Sequence, residues 1–397
     1  MSNSKTPFSA AEPALGYLYQ IRYALLQMFR LPENTTCLIE GEDDIDFSEP
    51  EEGRLLASLK HKAPGDLLTD LCPDFWKSVR IWLSYYLQNP DSNPSFFLFT
   101  TGSVAANSFL KNFLPNSSWN NSTLADVQTI LSKTESKTIG KTKELLKSLP
   151  GEKEKDFYKR ITIFDQQKRI EDIPKEIMDS MRTERVQFRK PIYQRLEGWW
   201  VDQCINILTK RRTKPLCGIE VFEILNGISQ QFRDDSLPID FAQAEPKDGV
   251  NPDSDERLFV RQLKAIGMKS ERLRRAIWDY YRAFEQRASW VRENVTLTGE
   301  VECYDDRLTD EWRRLKEIIW EELQDSSSEE ILQSKGKELF NRISTSDHAN
   351  LRIRAHVTEP YVVMGSYHML ANENMPRVHW HPRFLDKLYE ELKEINK

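Results

Sequence analysis

The chain has 397 residues, of which 39% are hydrophobic and 30% charged, and its formal net charge is −6. That length calls for about two or three domains, and that apolar content excludes wholesale disorder. The acidic balance argues against a protein that coats nucleic acid by charge alone, because such binding rests on neutralising phosphates.

Residues 14–30 (ALGYLYQIRYALLQMFR) repeat apolar side chains at spacings of three and four, which predicts an amphipathic helix. Three short strands are predicted next, at about 36–41, 43–48 and 54–61, with Pro-Glu-Glu-Gly turning the last two into a hairpin. PDFWKSVRIWLSYYL (73–87) reads as a second helix with Asp74 as a possible N-cap. SFFLFTTG (95–102) is a continuous apolar run of strand length, as expected where a strand is buried on both faces. Helix, three strands, helix and strand together make an α/β unit with a small mixed sheet flanked by helices. ITIF (161–164) is a further candidate strand, and from about 186 to 343 apolar residues recur mainly at helical period. The expected organisation is a core over 1–115, a mixed, partly helical extension over 116–215 and a mainly α-helical assembly domain over 216–397.

No apolar run reaches the ~18 residues of a membrane-spanning helix, and MSNSKTPFSAAEP lacks the pattern of a signal peptide. Five scattered cysteines without a CxxC pair argue against a disulfide framework and a thiolate zinc site. A cytoplasmic protein is expected, with no membrane partner.

The chemistry concentrates in IEGEDDIDFSEPEEGRLLASLKHK (39–62). If strand pairing were regular through 40–46, then Glu40, Glu42, Asp44 and Asp46 would project to one side. On the returning strand Ser58, Lys60 and Lys62 share a face, and cross-strand neighbours lie ~5 Å apart. Carboxylates converging on a lysine suit phosphodiester hydrolysis, where hard oxygens hold Mg²⁺ and an ammonium orients water or screens phosphate charge. An acid-rich hairpin ending in Lys-His-Lys serves equally well as a solvated, charge-protected sheet edge.

With these elements around it, the hairpin resembles the core of PD-(D/E)xK nucleases. The resemblance implies Asp44 as the principal acidic metal ligand and Lys60 as the catalytic lysine. It makes Glu40 and Asp43 supporting acids and turns Gln20 of the first helix toward the site. Where that family carries an acid or glutamine two residues before the lysine, this chain has Ser58. Glu40 or Glu42 would then complete the coordination of Mg²⁺ or Mn²⁺.

GYLYQIRYALLQMFR, IEGEDDIDF, LLASLKHK and FFLFTTGS are similar to the nuclease module heading CBASS and Lamassu defence effectors. LEGWW (196–200), VRQLKAIGMKSERLRRAIWDYYRAFEQRASW (260–290) and VTEPYVVMGSYHMLANENMPRVHWHP (357–382) resemble the nuclease-bearing component of ABC-type three-component systems. The resemblance implies an effector that cuts double-stranded DNA, restrained by an SMC-like ATPase and accompanied by a small third subunit. Cutting both strands needs two sites, so self-association is expected in the active form. The rival readings are a catalytically inert adaptor of the same complex and a helical DNA-binding scaffold.

Three further signals have ordinary readings beside sharper ones. His379-Trp380-His381 would place both imidazoles on one strand face, as zinc binding would need. No cysteine or paired acid accompanies them at ligand spacing, and a packed, hydrogen-bonding surface is the expected reading. Trp199-Trp200 suits a helix core or a base-stacking platform. TKRRTK (209–214) and KSERLRR (269–275) are the most basic stretches and read as solvated helix faces or as DNA contacts.

Overall fold

The computed structural model describes residues 11–50, 53–117, 121–134, 136–149, 151–246 and 249–386. The expected turn residues Glu51 and Glu52 therefore lie outside the described residues, as do 1–10 and 387–397. The chain divides into two compact units, Met1–Ile228 and Ser229–Lys397. Among the described residues no helix is long and apolar enough to cross a membrane.

The first unit is built on a six-stranded mixed sheet. Its strands are β1 (Thr36–Ile39), β2 (Ile45–Glu49), β3 (Gly53–Lys60), β5 (Ser95–Thr100), β7 (Ile161–Phe164) and β8 (Leu216–Cys217), in the spatial order β7-β5-β3-β2-β1-β8. Two-residue strands β4 (Leu67–Leu68) and β6 (Ser103–Val104) pair separately. β1, β2 and β3 form an antiparallel meander, while β5 runs parallel to β3 and β7 parallel to β5. A parallel step needs a crossover, and α2 (Pro73–Gln88) supplies the one from β3 to β5.

Side-chain alternation on β3, β5 and β7 sorts the core into two layers. Leu56, Phe96, Leu98, Ile161 and Ile163 point to one face and pack in a cluster with Phe75, Trp76 and Trp82 of α2. Trp82 stacks on Phe96 with ring centres 5.6 Å apart. On the other face Phe99 meets Tyr23 of α1 (Ala11–Met28) at 5.0 Å. Both faces of β5 are thus covered, which explains its unbroken apolar sequence.

Helices α3 (Asn121–Lys133), α4 (Lys137–Leu146) and α5 (Gly151–Lys159) follow, the last leading into β7, and α6 (Ile173–Ser180) precedes the 23-residue α7 (Val186–Leu208). Trp200 of α7 is fully buried and donates its Nε1 hydrogen to the Ile21 carbonyl at 2.8 Å. Trp200 is therefore core, while Trp199 beside it is half-buried. Arg212 in the basic stretch is held by Glu220 at 2.6 Å and by carbonyls, which makes it a strut of its own loop. Helix α8 (Gly218–Gln230) ends the unit.

The second unit is helical: α9 (Leu258–Ala265), α10 (Ser270–Arg292), α11 (Glu300–Trp320), α12 (Glu329–Thr345) and α13 (Pro360–Ala371). Helices α10 and α13 cross closely where Gly365 meets the Asp279 carbonyl and Ala283. Gln286 of α10 is wholly buried and ties down the preceding loop, accepting from Asp240 N at 2.9 Å and donating to the Pro238 carbonyl at 3.0 Å. Residues 378–381 form no strand, contrary to the expectation for the two tail histidines. His379 instead packs on Trp312 at 4.9 Å and Trp320 at 5.5 Å, and burial pushes its pKa down to about 4. His381 reaches Glu329 at 3.0 Å. These imidazoles are packing elements.

Candidate functional site

The acidic segment departs from the regular strand expected of it. β1 stops at Ile39, and 40–44 is a tight turn before β2 starts at Ile45. Glu40 adopts φ +53°, and its N–H donates to the Asp44 carbonyl at 3.0 Å. A Cβ on Gly41 would strike the Asp46 carboxylate, so only glycine fits there. Period-two alternation is lost, and Glu40, Glu42, Asp44 and Asp46 do not share one face.

Asp46 is the staple of the turn. Its carboxylate accepts from Glu42 N at 3.0 Å and from Asp43 N at 3.3 Å, and it pairs with Arg54 of β3 at 2.6 Å. Arg54 in turn lies against Tyr85 of α2. Asp43 points into the core. Its Oδ1 accepts from Asp44 N at 2.9 Å and its Oδ2 from Trp82 Nε1 at 2.5 Å. Burial, and next the charge of Asp44, push its pKa up to about 7. Each Asp43 oxygen accepts a hydrogen bond from the protein, so its carboxylate supports the turn.

Asp44 leaves this turn at the mouth of the sheet. Its Oδ2 accepts from Leu59 N at 2.6 Å, from Lys60 Nζ at 3.1 Å and from Ser58 Oγ at 3.3 Å. Three donors from consecutive residues of β3 therefore fix one carboxylate oxygen. Ser58 and Lys60 share the β3 face toward α2, as expected. Ser58 is only 1% exposed and lies 2.7 Å from Ser78 Oγ of α2. The position where an acid was expected is thus occupied by a small buried hydroxyl that joins strand to helix.

Around this pair opens a cleft of about 690 Å³, lined among others by Gln20, Glu40, His61, Asp74 and Lys77. Burial and the charge of Asp44 raise the Glu40 pKa, against a hydrogen bond from Gln20. The structure therefore brings Asp44, Lys60, Glu40 and Gln20 together, with exposed Glu42 on the rim. Lys62 pairs with Asp74 at the N-terminal turn of α2. Lys77, one turn further, has no ion pair or hydrogen bond among the described residues. Neither α2 residue was singled out for the site from sequence, although Asp74, Lys77, Ser78 and Ile81 recur at the spacing of a single helix face.

Among the described residues no three His, Cys, Asp or Glu side chains form a metal-holding group. The donor chemistry nevertheless fits a hard cation. Mg²⁺ keeps several waters and is commonly held by one or two carboxylates plus substrate oxygens. Asp44 and Glu40, whose charges repel across the cleft, are the two carboxylates that would hold it.

Residues 259–388 match the family model of C-terminal domain 7 of the ABC-three component (ABC-3C) systems. That match supports membership of an ABC-3C antiphage defence system, and with it a multi-subunit partnership. No curated protein matches the chain. A solved structure described as the Moraxella osloensis Cap4 SAVED/CARF-domain containing receptor is similar at 13% identity, over 64% of this chain and 60% of that one, with a TM-score of 0.32. The likeness is slight, and this chain spans less than two thirds of that structure.

Proposed function

We propose that this protein is a metal-dependent endonuclease that cuts double-stranded DNA as the effector of an ABC-3C antiphage system. The observation that carries the reading is the convergence of Lys60 and Asp44, 3.1 Å apart, at a polar cleft where β3 ends. Around them stands a helix, an antiparallel meander, a second helix and a parallel strand, the order expected of a PD-(D/E)xK core.

Asp44 and Glu40 would hold Mg²⁺ or Mn²⁺, which supplies Lewis-acid stabilisation of charge developing on a phosphodiester. Lys60 brings its ammonium to the same place, where it orients an attacking water and screens phosphate charge. Gln20 steadies Glu40 from α1. Lys77, which attracts Glu40 across the cleft but makes no ion pair or hydrogen bond among the described residues, is the cation available to a DNA phosphate. The net charge of −6 accords with weak autonomous DNA binding and with dependence on partner chains, here an SMC-like ATPase of Lamassu type and a small third subunit. Two copies would be needed for a double-strand break.

A catalytically inert adaptor of the same complex is the second reading, favoured by Ser58, whose buried hydroxyl replaces the expected acid. Plasmid incubated with Mg²⁺ or Mn²⁺ separates the two, using wild type, Lys60→Ala and Asp44→Asn, with and without partner subunits. The nuclease reading expects cleavage that chelation abolishes and that Lys60→Ala lowers by at least about 100-fold. Equal cleavage by wild type and Lys60→Ala would sink the site, and no cleavage with every partner present would leave the adaptor.

A further inference from the structure

Arginines in the C-terminal unit are commonly matched to carboxylates. Arg257 meets Asp255, Arg287 meets Asp305, Arg354 meets Glu300 and Arg377 meets Glu373. Helix α10 breaks that habit in the KSERLRR stretch and just beyond it. Arg272, Arg275 and Arg282 line one cleft, and none has an ion pair among the described residues. Arg272 donates to the Asn341 side-chain oxygen at 2.7 Å and Arg282 to the Ala244 carbonyl at 2.9 Å, both neutral acceptors. Arg275 has no hydrogen bond among the described residues. Three guanidinium groups therefore converge without a close ion pair, facing the single carboxylate of Asp279.

The cleft measures about 440 Å³ and lies between α10, α12 and the start of α13. That volume lies in the range of small-molecule sites. Its apolar wall is Phe340, Tyr361 and Met364, with Arg272 seated 5.2 Å over the Phe340 ring. Glu359 at the N-cap of α13 makes no side-chain capping bond, and Pro360 and Tyr361 of the first turn line the cleft. Helix amides at such an end favour an anion. His368 also lines it; the residue is 1% exposed and its Nδ1 has no hydrogen-bond partner. Burial holds this imidazole neutral, with its pKa lowered to about 3.

Among the described residues, one carboxylate stands in this lining. Asp279 makes no ion pair with the three arginines, and burial pushes its pKa up to about 6 despite the attraction of Arg275 and Arg282. A bare anion would be repelled by it. A ligand that carries both an anion and a hydrogen-bond donor satisfies the arginines and Asp279 together, and the aromatic wall suits a flat ring.

We propose that the cleft binds a nucleoside phosphate. The phosphate sits on Arg272, Arg275 and Arg282, the base lies against Phe340 and Tyr361, and Asp279 accepts from an amino or hydroxyl group of the ligand. The site lies within the segment matching the ABC-3C domain and does not depend on the nuclease reading.

Isothermal titration calorimetry of the full chain tests this with ATP, the four ribonucleoside monophosphates, adenosine and inorganic phosphate. Saturable binding of ATP or at least one monophosphate is expected, tighter than that of adenosine or phosphate alone. Arg275→Glu, which removes a side chain that makes no hydrogen bond or ion pair among the described residues, is expected to weaken it about tenfold or more while the melting temperature holds. No saturable heat with any nucleotide at millimolar concentration would overturn the proposal. So would phosphate binding as tightly as the best nucleotide, or unchanged nucleotide affinity in Arg275→Glu. A loss of double-stranded DNA retention in that variant with nucleotide binding intact would assign the arginines to DNA instead.

Discussion

Trp82 donates its indole hydrogen to Asp43 Oδ2 at 2.5 Å, and both side chains are buried. Helix α2 thereby holds the acidic turn from beneath, while Asp46 and Arg54 hold it from the sheet. Asp44 can be presented to the cleft because its two acidic neighbours in this network face the protein.

Removing the indole donor leaves a buried carboxylate short of one partner. Trp82→Phe keeps most of the ring packing on Phe96 but is expected to cost about 1–3 kcal/mol of stability. Urea denaturation measures it, and an unchanged midpoint would show that the bond contributes nothing.

The same acid sets a pH dependence in metal-free protein. The Asp43 pKa rises from 3.8 to about 7 on folding, so the folded state binds its proton more tightly than the unfolded state. Below pH 3.8 both states are protonated and no penalty exists. As pH rises toward about 7 the unfolded chain ionises first and stability falls, by on the order of 4 kcal/mol at full extent. Asp43→Asn should flatten that decline when denaturation midpoints are compared across this range in EDTA, and parallel curves would refute it.

Ser58→Ala separates a structural hydroxyl from a metal ligand. Asp44 keeps Leu59 N and Lys60 in the variant, while Ser78 loses its neighbour 2.7 Å away. Stability should drop by about 1 kcal/mol, with any DNA cleavage retained within a few-fold. Abolished cleavage in a protein that still folds would give Ser58 a direct role.

In the C-terminal unit Gly365→Ala drives a methyl group into the Asp279 carbonyl and Ala283. The α10–α13 crossing must then spread, at an expected cost of about 1–3 kcal/mol. Thermal melting of the variant reads this, and wild-type melting would mean that the crossing yields without cost.

Much of this architecture is written in local sequence. The unbroken apolar run of β5 announced a doubly covered strand, and the helical period of 73–87 announced α2. Asp44 and Lys60 could be paired from sequence because one stands just before β2 and the other ends β3. What local pattern could not supply was the turn at 40–44. There a left-handed Glu40 and the Asp46 staple override period-two alternation. Nor could it show that Asp43 would be claimed by a tryptophan 39 residues away, or that Lys77 would look into the cleft toward Glu40. Those facts depend on how α2 docks, and docking is set by the whole core.

Strand β3 is clasped between an antiparallel neighbour and a parallel one, with Leu56 opposite Asp46 on one side and Phe96 on the other. A slip of one residue would turn Lys60 to the opposite face and present Leu59 to Asp44 in its place. Misassembly of this sheet therefore removes the Lys60–Asp44 pair outright, and no partly shifted register retains a weakened form of it.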